Sequence, residues 1–129
     1  MPARSLTLTV LPGRYAICRM EAGVAIPSWA TAGPLFSVTR TGEEISILCP
    51  EGLVPPEIRH AGEWRALKFE GPFEFSEVGI LASVATPLAG AGVSLFAVST
   101  FDTDYVLVKE AMLERAAEAL AAAGHHVRR

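Results

Sequence analysis

Ser94-Leu95-Phe96-Ala97-Val98-Ser99-Thr100-Phe101-Asp102-Thr103-Asp104-Tyr105-Val106-Leu107-Val108 reads as two strands joined by a short acidic, hydroxyl-rich turn. Residues 93–99 and 105–108 are apolar or small on both faces, as in interior strands, while Thr100, Asp102, Thr103 and Asp104 set side-chain oxygens at the junction. The same pattern lies sixty residues upstream. There Leu35-Phe36-Ser37-Val38-Thr39 falls on residues 95–99, Gly42-Glu43-Glu44 on residues 102–104, and Ile45-Ser46-Ile47-Leu48 on residues 105–108, without a gap. This spacing predicts a degenerate internal repeat of one hairpin.

A chain of 129 residues, 50% of them hydrophobic, can bury a core as one compact unit or two small fused ones. A formal charge of -3 and a pI near 5.6, with no cluster of Lys or Arg, give no electrostatic footprint for nucleic acid. A small neutral or zwitterionic partner fits better. Cys18 and Cys49 sit in strand-like apolar runs without CxxC spacing, which predicts buried reduced thiols and a cytoplasmic protein. The N-terminus alternates threonine with leucine, unlike a secretory signal. Val78 to Phe101 lacks charge over a membrane-spanning length. Pro87, Gly90 and Gly92 interrupt it, however, and the run reads as a buried helix followed by a buried strand, with no membrane contact.

In chain order, Leu6 to Val10 and Tyr15 to Met20 alternate with period two around Pro12-Gly13, predicting an opening hairpin. The proline- and glycine-rich stretch from Gly23 to Pro34 has room for one helical turn near Pro27-Ser28-Trp29. Leu35 to Arg40 and Ile45 to Cys49 form the next hairpin, and another short turn-rich segment follows. Trp64 to Glu70 reads as a strand. Ser76 is a candidate N-cap for a helix whose stripe is Val78, Leu81, Ala82, Ala85, Leu88 and Ala89, kinked by Pro87 and ended by Gly92. Met112, Leu113, Ala116, Ala117 and Leu120 mark a second helix over Glu110 to Ala123, with a short strand after Gly124. The second half therefore reads βαββαβ. The fold class is α+β, ferredoxin-like, with two tandem units, residues 1–60 (abbreviated) and residues 61–129.

That order, with residues 99–108, resembles the ACT domain family. Glu77-Val78-Gly79-Ile80-Leu81, Pro87-Leu88-Ala89 and the hairpin from Ser99 to Val108 are similar to the tandem branch found in small bacterial proteins, CASTOR-type arginine sensors and aspartate kinases. The resemblance covers residues 6–123. No catalytic domain is expected within these 129 residues. The resemblance implies a non-catalytic regulatory unit that binds a free amino acid, self-associates as a dimer and uses no cofactor. Its ligand contacts would fall on Glu77, Gly79, Ile80, Thr100, Phe101 and Asp104, with Ser37 and Val38 from the partner unit, so that the ligand lies between the repeats.

Gly79 admits two readings: an open helix start where an anion approaches free N–H groups, or a close approach of helix to strand. Asp104 is either a cation partner or a turn residue satisfying local N–H groups. His60, His125 and His126 lack ligand spacing with the cysteines, so no metal is expected. No GxSxG, GxGxxG or P-loop pattern occurs. The competing readings are a protein-interaction module without ligand and a small acid-base enzyme using Asp102 and Asp104.

Overall fold

The computed structural model describes residues 5–74 and 76–129. Its elements are β1 (Thr7–Val10), β2 (Tyr15–Met20), β3 (Ser37–Arg40), β4 (Ile45–Pro50), β5 (His60–Phe69), α1 (Ile80–Gly90), β6 (Phe96–Ser99), β7 (Asp104–Lys109), α2 (Leu113–Ala122) and β8 (His126–Arg128). Single 3-10 turns at Ser28–Thr31, Glu51–Leu53 and Glu110–Met112 complete them.

The chain divides into two compact units, one formed by Gly13–Trp64 and the other by the described residues up to Pro12 with Arg65–Arg129. The boundary after Trp64 falls close to the expected joint at residue 60. Residues 5–12, expected in the first unit, belong to the second, because β1 pairs antiparallel with the second half of β5 (Leu8 opposite Phe69) and parallel with β8 (Leu8 opposite Val127). The expected opening hairpin does not form. β1 takes the second half of β5 and β8 as its partners, and β2 takes β4 and the start of β5.

In the unit Gly13–Trp64, β4 pairs antiparallel with both β2 and β3, and β2 pairs antiparallel with the start of β5. Both positions where helices would complete a βαββαβ order carry single 3-10 turns. The core matches that abbreviation: Ala16, Cys18, Ala30, Ile45, Ile47 and Cys49 are mostly small side chains, which a buried turn residue such as Ala30 can cover.

The second unit has the complete order β5–α1–β6–β7–α2–β8 with β1 inserted between β5 and β8. Leu8, Leu67, Phe69, Val84, Leu88, Val106, Val108 and Leu120 are fully buried, each burial being worth about 1.5–3 kcal/mol. Of the expected stripe, Leu113, Ala116, Ala117 and Leu120 are buried on α2, while Met112 lies half-buried in the 3-10 turn before it. For α1 the stripe is rotated: Val84 and Leu88 are buried while Val78 is 91% exposed. The helix begins at Ile80, four residues after the expected cap Ser76, so Val78 lies outside it. Both helices end alike. Gly92 (φ +75°) and Gly124 (φ +93°) take the left-handed position, and Val93 N–H and His125 N–H donate back to the carbonyls of Leu88 and Leu120 at 2.9 Å. Among the described residues no helix is long and apolar enough to cross a membrane.

The repeat is present, one residue out of the expected register. In the first turn Thr41 N–H donates to Glu44 O at 2.9 Å and Glu44 N–H to Thr41 Oγ1 at 3.2 Å. In the second, Thr100 N–H donates to Thr103 O at 2.8 Å and Thr103 N–H to Thr100 Oγ1 at 3.2 Å. Arg40 pairs with Ile45 as Ser99 pairs with Asp104. Thr41 therefore corresponds to Thr100, an offset of 100 − 41 = 59 residues rather than 60.

Candidate functional site

The turn Thr100–Thr103 is fastened at its second half by two hydrogen bonds. Thr103 Oγ1 donates to Phe69 O at 2.6 Å and Phe73 N–H donates to Asp102 O at 2.8 Å, which ties the turn to the segment leaving β5. That segment runs on to Gly79, where α1 starts. Between them lies a cleft of about 220 Å³, walled by Phe73, Glu74, Glu77 and Ile80 on one side and by residues 99–104 on the other. It is smaller than pockets for drug-sized ligands, which run to about 300–1,000 Å³.

Gly79 stands at the N-cap with φ +79°, and Ser83 N–H donates to its carbonyl at 2.9 Å. It is not the third helical residue expected from a cap at Ser76. A left-handed residue cannot continue an α-helix, so the first turn, with its free N–H groups, begins at Ile80. A Cβ on Gly79 would meet nothing within 4 Å. Close packing therefore does not explain this glycine, whereas its positive φ does.

Across the cleft Asp104 opens β7 opposite Ser99, the last residue of β6, and Ser99 Oγ donates to its carboxylate. Asp104 is thus a strand residue held by a neighbour, not a free turn aspartate. Glu74, Glu77, Asp102 and Asp104 bring four carboxylates to the lining, and among the described residues no Lys, Arg or His joins them. Together with a helix N-terminus, this offers N–H donors for an anion and carboxylates for a cation.

Of the residues expected to form a site, Glu77, Ile80, Thr100, Phe101 and Asp104 line this cleft, and Gly79 adjoins Ile80. Ser37 and Val38 do not line it; they belong to β3 of the other unit, paired with Leu48 and Ile47, where Val38 packs on that unit's core. Phe73, Glu74, Ser99, Asp102 and Thr103 complete the lining; sequence reasoning named Asp102 only for the acid-base reading and missed the other four as site residues. Ser99 carried a usable signal, since a hairpin closing on Asp104 puts it directly opposite.

Away from the cleft, Cys18 and Cys49 are buried and not linked to each other. Burial, reinforced by the neighbouring Cys49, pushes the Cys18 thiol from 9.0 up to about 12, and burial also raises Cys49.

The ACT domain family model matches residues 60–122, and a model for an N-terminal domain matches residues 13–57. A solved protein from Agrobacterium tumefaciens is 45% identical over 97% of this chain and 93% of its own, with a TM-score of 0.92. The regulatory subunit of aspartate kinase from Thermus flavus, at 11% identity, shares the fold, with a TM-score of 0.65 over 93% of this chain and 99% of its own. Human cytosolic arginine sensor for mTORC1 subunit 1 is 46% identical over 48 residues, 36% of this chain. The match spans only 15% of that sensor. The ACT profile falls on β5 to α2, the part of the chain with the complete element order, and that part belongs to the ACT domain family.

Proposed function

We propose that this protein is a non-catalytic regulatory unit that binds a free amino acid in the cleft between Ile80 and Asp104. One observation carries the reading: a helix N-terminus and a half-buried carboxylate face one small cleft, a polarity that suits a zwitterion. The ligand carboxylate would meet the N–H groups at Gly79 and Ile80. Its ammonium would meet Asp104 and the carbonyls of Thr100 and Phe101. The further carboxylates of Glu74, Glu77 and Asp102 favour a cationic side chain, and one relative is named an arginine sensor, so arginine and lysine head the candidates. No cofactor enters this reading, and the two reduced thiols accord with a cytoplasmic setting.

A thermal-shift panel of the twenty amino acids tests it. A ligand at a hundred times its Kd adds about 2.7 kcal/mol of stability. A rise in melting temperature with one or a few amino acids supports the proposal, and a flat panel at millimolar concentration contradicts it.

A second reading has its own support. Val78 is 91% and Phe101 77% exposed, and apolar side chains that open to water suit a protein surface, whether of a second copy or of a regulated target. Sedimentation equilibrium at tens of micromolar decides self-association: a dimer is expected, and a sole 13.7 kDa species contradicts it.

A further inference from the structure

Pro87 lies inside α1 and has no N–H, so the carbonyl one turn back, that of Ser83, lacks its helical donor. The carbonyl is nevertheless bonded. His125 Nε2 lies 2.9 Å from Ser83 O, and Leu6 N–H donates to His125 Nδ1 at 3.1 Å. A carbonyl only accepts, so Nε2 carries the hydrogen and Nδ1 keeps the lone pair that receives Leu6 N–H. Both contacts fix one tautomer of a ring that is 6% exposed. The backbone around His125 is held as well: its own N–H donates to Leu120 O at 2.9 Å, and His126 N–H donates to Leu6 O at 2.8 Å. One imidazole thus joins α1 to Leu6, the residue before β1, while the backbone of His125 holds the end of α2.

Ser83 belongs to the first turn of α1. Its N–H closes on Gly79 O at 2.9 Å and its Oγ donates to Ile80 O at 2.8 Å. We propose that His125 is a positioning residue for the cleft: it supplies the donor that Pro87 lacks and thereby fixes the turn whose N–H groups face the ligand. The inference rests on the proposed function only for its ligand readout.

The test is a cycle of His125→Asn, Pro87→Ala and the double variant. Asparagine keeps an acceptor near the place of Nδ1 for Leu6 and loses the donor to Ser83, while alanine at position 87 restores the helix's own N–H. In the ligand-free protein, His125→Asn should speed amide exchange at residues 83–85 about tenfold, and the double variant should return it to within about threefold of wild type. Imidazole 15N spectra of the wild type should show the Nε2–H form. With L-arginine as probe, affinity should fall about three- to tenfold in His125→Asn and recover in the double variant. Equal effects of His125→Asn in the wild-type and Pro87→Ala backgrounds, or an Nδ1–H ring, overturn the replacement of the missing donor. Coupled exchange with unchanged arginine affinity overturns the positioning role. A wild type that binds none of the twenty amino acids overturns the proposed function instead, and the exchange cycle still decides whether His125 holds the turn.

Discussion

Ser99 Oγ donates to the carboxylate of Asp104 across the last rung of the β6–β7 hairpin. The serine engages one carboxylate oxygen, and in the proposed binding mode the other meets the ligand. Replacing it with alanine removes one hydrogen bond, worth about 0.5–1.5 kcal/mol, and leaves the strand pairing intact. Ser99→Ala should weaken amino-acid binding roughly two- to tenfold. Titration calorimetry with the panel-responsive amino acid checks it, and unchanged affinity means that the bond does not orient Asp104.

Gly79 makes a different demand. Its φ of +79° disfavours any side chain, while the space a Cβ would fill is empty. Gly79→Ala should therefore cost about 1–2 kcal/mol of stability through backbone strain alone. Chemical denaturation measures this loss, and an alanine variant as stable as wild type would show that the turn is not held left-handed.

Cys18 predicts an alkaline limit. The folded thiol titrates near 12 while the unfolded one titrates near its ordinary 9.0, so the folded state favours the protonated form. That contribution is complete below pH 9.0 and is lost as pH rises from there toward 12. Denaturation midpoints of wild type should fall more steeply over this window than those of Cys18→Ala, and parallel curves would contradict the burial of the thiol.

The fold was legible where periodicity was strong. Four of the five residues expected on the stripe of α2 are buried on it, Met112 falling in the 3-10 turn before, and the two abbreviated helical positions followed from prolines and glycines between residues 23 and 56. Pairing was less legible. Leu6 to Val10 alternates as any strand of a hairpin would, and nothing in its own residues reveals that its partners lie at residues 67–69 and 126–128. The repeat was found one residue out of register because strands that are apolar on both faces carry no alternation to fix their phase. Thr41 and Thr100, the hydroxyls that anchor the two turns, were the phase marker that hydrophobic matching passed over. At the cleft, Asp104, Thr100 and Phe101 came from the resemblance to ACT domains, and the acidic turn by itself marked only a cluster of side-chain oxygens. The start of α1 was not legible, since Ser76 offers a standard cap signal and only the backbone conformation of Gly79 moves the helix to Ile80.

The central claim is that Asp104 holds the cationic group of a bound amino acid, and calorimetric titration of Asp104→Ala against wild type tests it most directly. Losing a charge-assisted pair costs about 1.5–3 kcal/mol, so the variant should bind roughly ten- to a hundredfold more weakly while melting close to wild type. Glu43→Ala, altering the residue that corresponds to Asp102 in the other turn, should bind as wild type does. Equal affinity of Asp104→Ala and wild type for the responsive amino acid would contradict the account.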